Sequence, residues 1–111
     1  MALNDLKGIL PPMTTPFDQN GRIQLDLIKP QVDFLLSAGV EGIVAGGSGG
    51  EGHTLDPEEF NDLMHAVVEA IDGRVPFVSG IIVNSTAEAI DRAQSLEGLD
   101  VTAMQVTPVH Y

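Results

Sequence analysis

Gly42-Ile43-Val44-Ala45-Gly46-Gly47-Ser48-Gly49-Gly50-Glu51 is the stretch that sets the reading of the whole chain. Its first residues are short and apolar, and the next five are only glycine and serine. That is a strand running straight into a glycine-rich loop. Asp56-Pro57-Glu58-Glu59 then opens a helix. Asp56 suits the cap, Pro57 the first helical position, and Glu59 the third, where a capping box wants a carboxylate. Phe60, Leu63, Met64, Val67, Val68 and Ile71 follow at steps of three and four, the stripe of an amphipathic helix that Asp72-Gly73 ends.

The same unit recurs on both sides. Upstream, Gly8 to Met13 reads as a first strand, closed by Thr14-Thr15-Pro16-Phe17 and the turn residues Asp18-Gln19-Asn20-Gly21. A helix is expected from about Asp26, with Ile28, Val32, Leu35 and Leu36 at helical spacing, Pro30 in the early turns and Gly39 as its stop. Downstream, Val75 to Val83 reads as a third strand. Ser85 and Glu88 form a second capping-box pair for a helix running to about Glu97. Val101 to Val106 is a fourth strand, ended by Thr107-Pro108. The order is β-α-β-α-β-α-β, with strands starting near residues 9, 42, 76 and 101, which is the spacing of βα units. The fold class is therefore α/β with parallel pairing and right-handed crossovers. Two architectures fit: a small open doubly wound sheet, or the first part of a closed (β/α)8 barrel, which needs about 250 residues.

Sixteen acidic residues against five basic ones give the 111-residue chain a formal charge of −11. Nucleic acid and anionic membrane both require a basic footprint, so neither is an expected partner. The acidic residues are scattered over helical stretches and form no block, which reads as a solvated surface. Cysteine is absent, which excludes disulfides and thiolate chemistry and suits a cytoplasmic location. Met1 to Lys7 has no signal pattern, and apolar runs such as Val75 to Val78 are too short to cross a bilayer. His53, His65 and His110 lack zinc-ligand spacing, and no metal or cofactor is expected.

Ligands of parallel α/β folds sit beyond the carboxyl ends of the strands. Three polar clusters lie there: Thr14-Thr15, Gly46 to Glu51, and Thr107 to Tyr111. In the middle cluster Gly47, Ser48, Gly49 and Gly50 form either a structural glycine turn or a loop whose backbone N–H groups and one hydroxyl can approach an anion. No lysine accompanies them and Glu51 follows, so a monoanionic carboxylate fits better than a phosphate. Gly50 and Glu51 read as structural members of this loop, with the Glu51 carboxylate accepting backbone hydrogen bonds; the alternative for Glu51 is a general base. Thr15 is either the polar end of the first strand or a site-lining residue, and Tyr111 is either an ordinary loop aromatic or a phenol able to relay protons.

Thr15-Pro16-Phe17, Gly47-Ser48-Gly49-Gly50-Glu51 followed by Thr54-Leu55, Asn84-Ser85-Thr86-Ala87-Glu88-Ala89-Ile90, and Val106-Thr107-Pro108 stand after successive strands. In order and spacing they resemble the dihydrodipicolinate synthase / N-acetylneuraminate lyase family, over essentially the whole chain. The resemblance implies a (β/α)8 barrel of class I aldolase type. In that family a lysine near the end of the sixth strand forms a Schiff base with pyruvate or another 2-oxo acid, and the enzymes are homo-oligomers, dimers or tetramers. It also implies a carboxylate-binding role for Gly47, Ser48 and Gly49, with Thr15 beside them, and a catalytic role for Ser48 in addition. Ser48 keeps the first loop hydroxyl of the family; Gly49 replaces the second, leaving only its N–H. The family's tyrosine pair after the fourth strand falls on Val109 and His110 without a gap. Tyr111 takes the catalytic tyrosine's place if the loop carries a one-residue insertion.

The resemblance makes residues 1–111 an incomplete barrel domain, strands one to four. Its only lysines, Lys7 and Lys29, precede the first strand and lie in the first helix. Neither is a sensible Schiff-base former. The expected function is the N-terminal segment of a Schiff-base-forming lyase or aldolase acting on a 2-oxo acid. The alternative is a non-catalytic half-barrel, or small α/β domain, that binds a carboxylate or assembles with a partner. Because the inward faces of Ile9, Ile43, Val78 and Met104 or their neighbours would meet water, the isolated chain is expected to self-associate or to fold only in part.

Overall fold

A computed structural model describes residues 1–108. Three helices alternate with three strands: α1 (Ile28–Ser37), β1 (Ile43–Ala45), α2 (Pro57–Ile71), β2 (Phe77–Val83), α3 (Thr86–Ser95) and β3 (Ala103–Pro108). Short 3-10 turns precede α1 at Leu25–Leu27 and α2 at Gly52–Thr54. All three strands begin within two residues of the expected starts.

The expected first strand is reduced to one parallel bridge, Pro12 opposite Val44. Met13 N–H donates to the Val44 carbonyl at 2.8 Å, and Val44 N–H donates to the Pro11 carbonyl at 3.1 Å. In a parallel ladder the residue two before Met13 would donate to Gly42. Pro11 has no N–H, so that rung is missing. The segment still lies beside β1, but as an irregular edge.

The helix caps follow the local chemistry. Asp56 accepts from Glu59 N–H at 2.8 Å while the Glu59 carboxylate accepts from Asp56 N–H at 3.0 Å, a complete capping box. Ser85 accepts from Glu88 N–H at 3.1 Å, but the Glu88 carboxylate reaches past it to Asn84 N–H. The second box is therefore half formed, with the Glu88 carboxylate satisfying the donor of the residue before the cap.

The strands pair in parallel in sequence order, β1-β2-β3. Consecutive right-handed crossovers that step in one direction put every helix on the same face of the sheet. A doubly wound sheet needs the order to reverse, and it does not among the described residues. The register identifies the faces: Ala45, Ser79 and Met104 share one side, and Val44, Val78 and Ala103 the other. On the helix side, Ile43, Ala45, Phe77, Ser79 and Ile81 are at most 1% exposed, whereas Val44, Val78 and Ile82 on the opposite side are 7–8% exposed. The core therefore lies between sheet and helices, where Ile43, Phe77 and Ile81 meet Val32, Phe60 and Met64. Of the residues expected to face inward, Val78 does so. Ile43 and Met104 instead point to the helix side, since a one-residue shift in a strand exchanges faces.

Candidate functional site

β1 ends at Ala45, and the chain turns at once through Gly46 to Glu51 into the 3-10 turn Gly52–Thr54. Close backbone packing fixes this path. A Cβ on Gly52 would overlap the Gly46 carbonyl, and one on Gly80 of β2 would come within 2.6 Å of the same oxygen. Glycine at both positions lets the loop lie directly on the neighbouring strand. A Cβ on Gly47 or Gly49 would meet nothing within 4 Å, so those two residues face open space.

The loop bonds largely to itself and to two side chains. Gly50 and Gly52 N–H groups both donate to the Gly47 carbonyl, at 3.2 and 3.0 Å, and Glu51 N–H donates to the Ser48 carbonyl at 3.0 Å. The buried Thr15 hydroxyl donates to the Gly50 carbonyl at 2.6 Å. Its proton thus holds the loop, and any contact of Thr15 with a ligand is left to the hydroxyl oxygen. From the other flank, Arg92 of α3 donates to the Gly52 carbonyl at 2.9 Å and to the Leu55 carbonyl at 2.6 Å. Among the described residues, no acceptor meets the N–H groups of Gly47, Ser48 or Gly49. Gly47 is half-buried, and Ser48 and Gly49 are exposed. Three consecutive unpaired donors and the Ser48 hydroxyl at a strand's carboxyl end form a small neutral cradle able to bind an anion without a basic side chain.

Glu51 holds the loop in a different way from that expected. Its backbone is left-handed, φ 56°, a conformation that disfavours side chains with a Cβ. Its carbonyl accepts from Thr54 N–H at 3.0 Å and from the Thr54 hydroxyl at 2.7 Å. The carboxylate makes no hydrogen bond among the described residues. The residue thus fixes the loop through its main chain.

Arg92 escapes a reading based on motifs. It is 8% exposed and lies over the Phe60 ring, 4.5 Å from the centroid. The signal was present in the spacing: Ala89 and Ala93 of α3 and its C-cap Leu96 form an inward stripe, and Arg92 stands between them in that register. A cleft of about 320 Å³ opens beside it, lined by His53, Leu55, Phe60, Asn84 and Glu88 among others. His53 is exposed there, in the 3-10 turn. Lys29 lies on α1 and pairs with Asp33 at 2.7 Å, away from any strand end. Tyr111, with Val109 and His110, lies outside the described residues. Among the described residues no cluster of His, Asp and Glu could hold a metal, and no helix is long and apolar enough to cross a membrane.

Residues 5–111 match the model of the dihydrodipicolinate synthetase family. A 4-hydroxy-tetrahydrodipicolinate synthase of Methanococcus maripaludis is 34% identical over 106 residues, covering 96% of this chain and 36% of the relative. One from Pseudomonas aeruginosa is 37% identical over 107 residues, covering 95% and 36%. An N-acetylneuraminate lyase of Mycoplasma synoviae superposes with a TM-score of 0.89 at 32% identity, covering 98% of this chain and 38% of that one. A prophage protein of the dihydrodipicolinic acid synthase family from E. coli K12, solved in complex with pyruvate, superposes with a TM-score of 0.86 at 30% identity, covering 94% and 35%. The chain thus spans about 36% of the length of the curated relatives it matches.

Proposed function

Because the chain belongs to the dihydrodipicolinate synthetase family, we propose that it is the N-terminal segment of a Schiff-base-forming lyase or aldolase acting on pyruvate or a related 2-oxo acid, with Gly47 to Gly49 holding the substrate carboxylate. Its fold is the N-terminal part of a (β/α)8 barrel. The observation that carries the functional reading is the run of unpaired N–H groups at Gly47, Ser48 and Gly49, beside the Ser48 hydroxyl and beyond the carboxyl end of β1. The donors are neutral and pre-positioned by Thr15 and Arg92, which suits a monoanion in a chain of strongly negative charge.

These residues bind and orient; they do not form the carbon–nitrogen bond. The Schiff base would come from a lysine of the complete barrel, and Tyr111 would relay protons in it. Homo-oligomeric assembly and a cytoplasmic location belong to the same reading. In the complete protein, Ser48→Ala is expected to lower turnover of the 2-oxo acid by on the order of 10²–10³, because a positioned hydroxyl near developing charge is lost. Unchanged kinetics would reduce Ser48 to a turn residue. The 111-residue chain alone, treated with pyruvate and borohydride, should show no adduct by mass spectrometry. A stoichiometric adduct on Lys7 or Lys29 would overturn the assignment of the Schiff base to another segment.

One observation favours a second reading, a half-barrel that assembles with a partner: Met104 and Val106 are 49% and 60% exposed on the helix side of β3. Sedimentation equilibrium of the chain tests this second reading for assembly with another copy. A monodisperse monomer with a cooperative melt would count against the assembling half-barrel.

A further inference from the structure

Among the described residues, Arg92 is the only charged side chain that is buried. Among the described residues no carboxylate lies within ion-pair distance of it, although Glu88 and Asp56 are near enough to favour its charge; the ion pairs there involve the N-terminus, Lys29 and Arg74. Taking an unpaired guanidinium out of water is costly, and burial pushes its pKa below the usual arginine value. An apolar side chain at this place would complete the stripe of α3 without that cost. What the guanidinium gains is specific: the two carbonyls at 2.9 and 2.6 Å and the face of Phe60. Both carbonyls belong to the turn that follows the loop, forty and thirty-seven residues before Arg92 in the chain.

The turn is joined to the loop in its turn. Gly52, whose carbonyl Arg92 holds, donates its own N–H to the Gly47 carbonyl at 3.0 Å. Gly47 begins the run of unpaired donors. On the opposite flank Thr15 holds Gly50. The cradle is thus suspended between one hydroxyl and one guanidinium. The glycines between these points supply no stiffness of their own.

We infer that Arg92 is a positioning residue for the loop: by holding the Gly52 and Leu55 carbonyls it fixes the direction of the Gly47, Ser48 and Gly49 N–H groups and so sets the affinity for a carboxylate. The inference rests on the proposed role of the loop. Two fingers of one planar group are needed, because the two carbonyls lie three residues apart. Methionine offers similar length with no donor, and lysine offers a point charge in place of a fork.

The test compares Arg92→Met and Arg92→Lys with the wild type in the complete protein, using pyruvate as the probe. Arg92→Met is expected to raise KM about tenfold, since the N–H contacts to the carboxylate are made in ground and transition states alike, and to lower kcat by no more than about tenfold, since the Ser48 hydroxyl is displaced but still present. Arg92→Lys should recover part of that loss. The Gly52 amide, read by NMR hydrogen exchange, should exchange about tenfold faster in Arg92→Met. An unchanged KM in folded Arg92→Met overturns the inference. So does an equal rise of KM in both variants in step with lowered thermal stability, which marks a packing role. Should Arg92→Met not fold, Arg92→Lys decides by the same KM and exchange readouts. A wild type that neither binds nor turns over pyruvate would remove the carboxylate reading itself. In that case unchanged exchange at Gly52 rejects the positioning role, and faster exchange retains it for the loop's geometry alone.

Discussion

β2 and β3 are neighbours in one parallel sheet, yet their helix-facing residues live in different surroundings. On β2, Phe77, Ser79 and Ile81 are at most 1% exposed and pack with Phe60, Met64 and Val67. On β3, Met104 and Val106 stand opposite Ser79 and Ile81 in the register, and they are about half exposed. No residue of Ala103–Pro108 joins the core cluster. Strands of the same kind, each with apolar residues on the helix side, are thus buried to very different extents. What differs is whether a helix lies across the strand, because apolar surface stabilises only when it leaves water.

The sharpest way to break this contrast is by truncation. Phe77→Ala is expected to cost about 3–5 kcal/mol in urea unfolding, while Met104→Ala should stay within about 0.5 kcal/mol. If both cost the same, the helix side of β3 is covered in solution, by a second copy or a partner. Concentration dependence of the Met104→Ala effect would then identify self-association.

A similar contrast runs within the loop. Gly52→Ala would force a methyl onto the Gly46 carbonyl and should cost about 1–3 kcal/mol, as overpacking does. Gly49→Ala has open space and should be neutral within about 0.5 kcal/mol. A neutral Gly52→Ala would mean that the loop shifts freely, and the cradle would lose its fixed geometry. The helix caps give a smaller test. Asp56→Ala removes one arm of a complete box and should cost about 1 kcal/mol. Ser85→Ala, in a half-formed box, should cost less, and the reverse order would assign the greater weight to α3.

The smallest effect lies on the surface, at Asp33. The Lys29 ammonium foremost, and the Arg74 guanidinium next, hold its carboxyl below the usual aspartate range. A depressed folded pKa means stability that is present above the unfolded value of about 3.9 and lost as pH falls through the lower folded value. Asp33→Asn should therefore be slightly less stable than wild type at neutral pH and equal to it in strong acid, with the difference shrinking at high salt. A difference that persists in acid would assign the effect to something other than this charge.

The loop was legible in the sequence because glycine, serine and the capping residues act within a few positions. The helix spacing of Phe60 to Ile71 was legible for the same reason, as was the stop at Gly39, whose φ is +89°. For Arg92 the spacing of α3 shows the inward direction, but nothing near it in the chain indicates the carbonyls it finds. Thr15 was noticed as a residue beside the site, but the destination of its proton depends on Gly50, thirty-five positions away.

The sequence by itself determined the alternation of helices and strands, the turn chemistry, the cap residues and the place of the glycine loop. Periodicity and capping are local, and each is decided by residues within a turn of one another. Only the tertiary structure decided that Pro11 reduces the first strand to a bridge, and that the sheet runs in sequence order with its helices on one face. It also decided that Ile43 and Met104 face the helices. Strand register and long-range hydrogen bonds depend on which segments meet in space, and a single strand that is apolar on both faces carries no mark of which side will be covered.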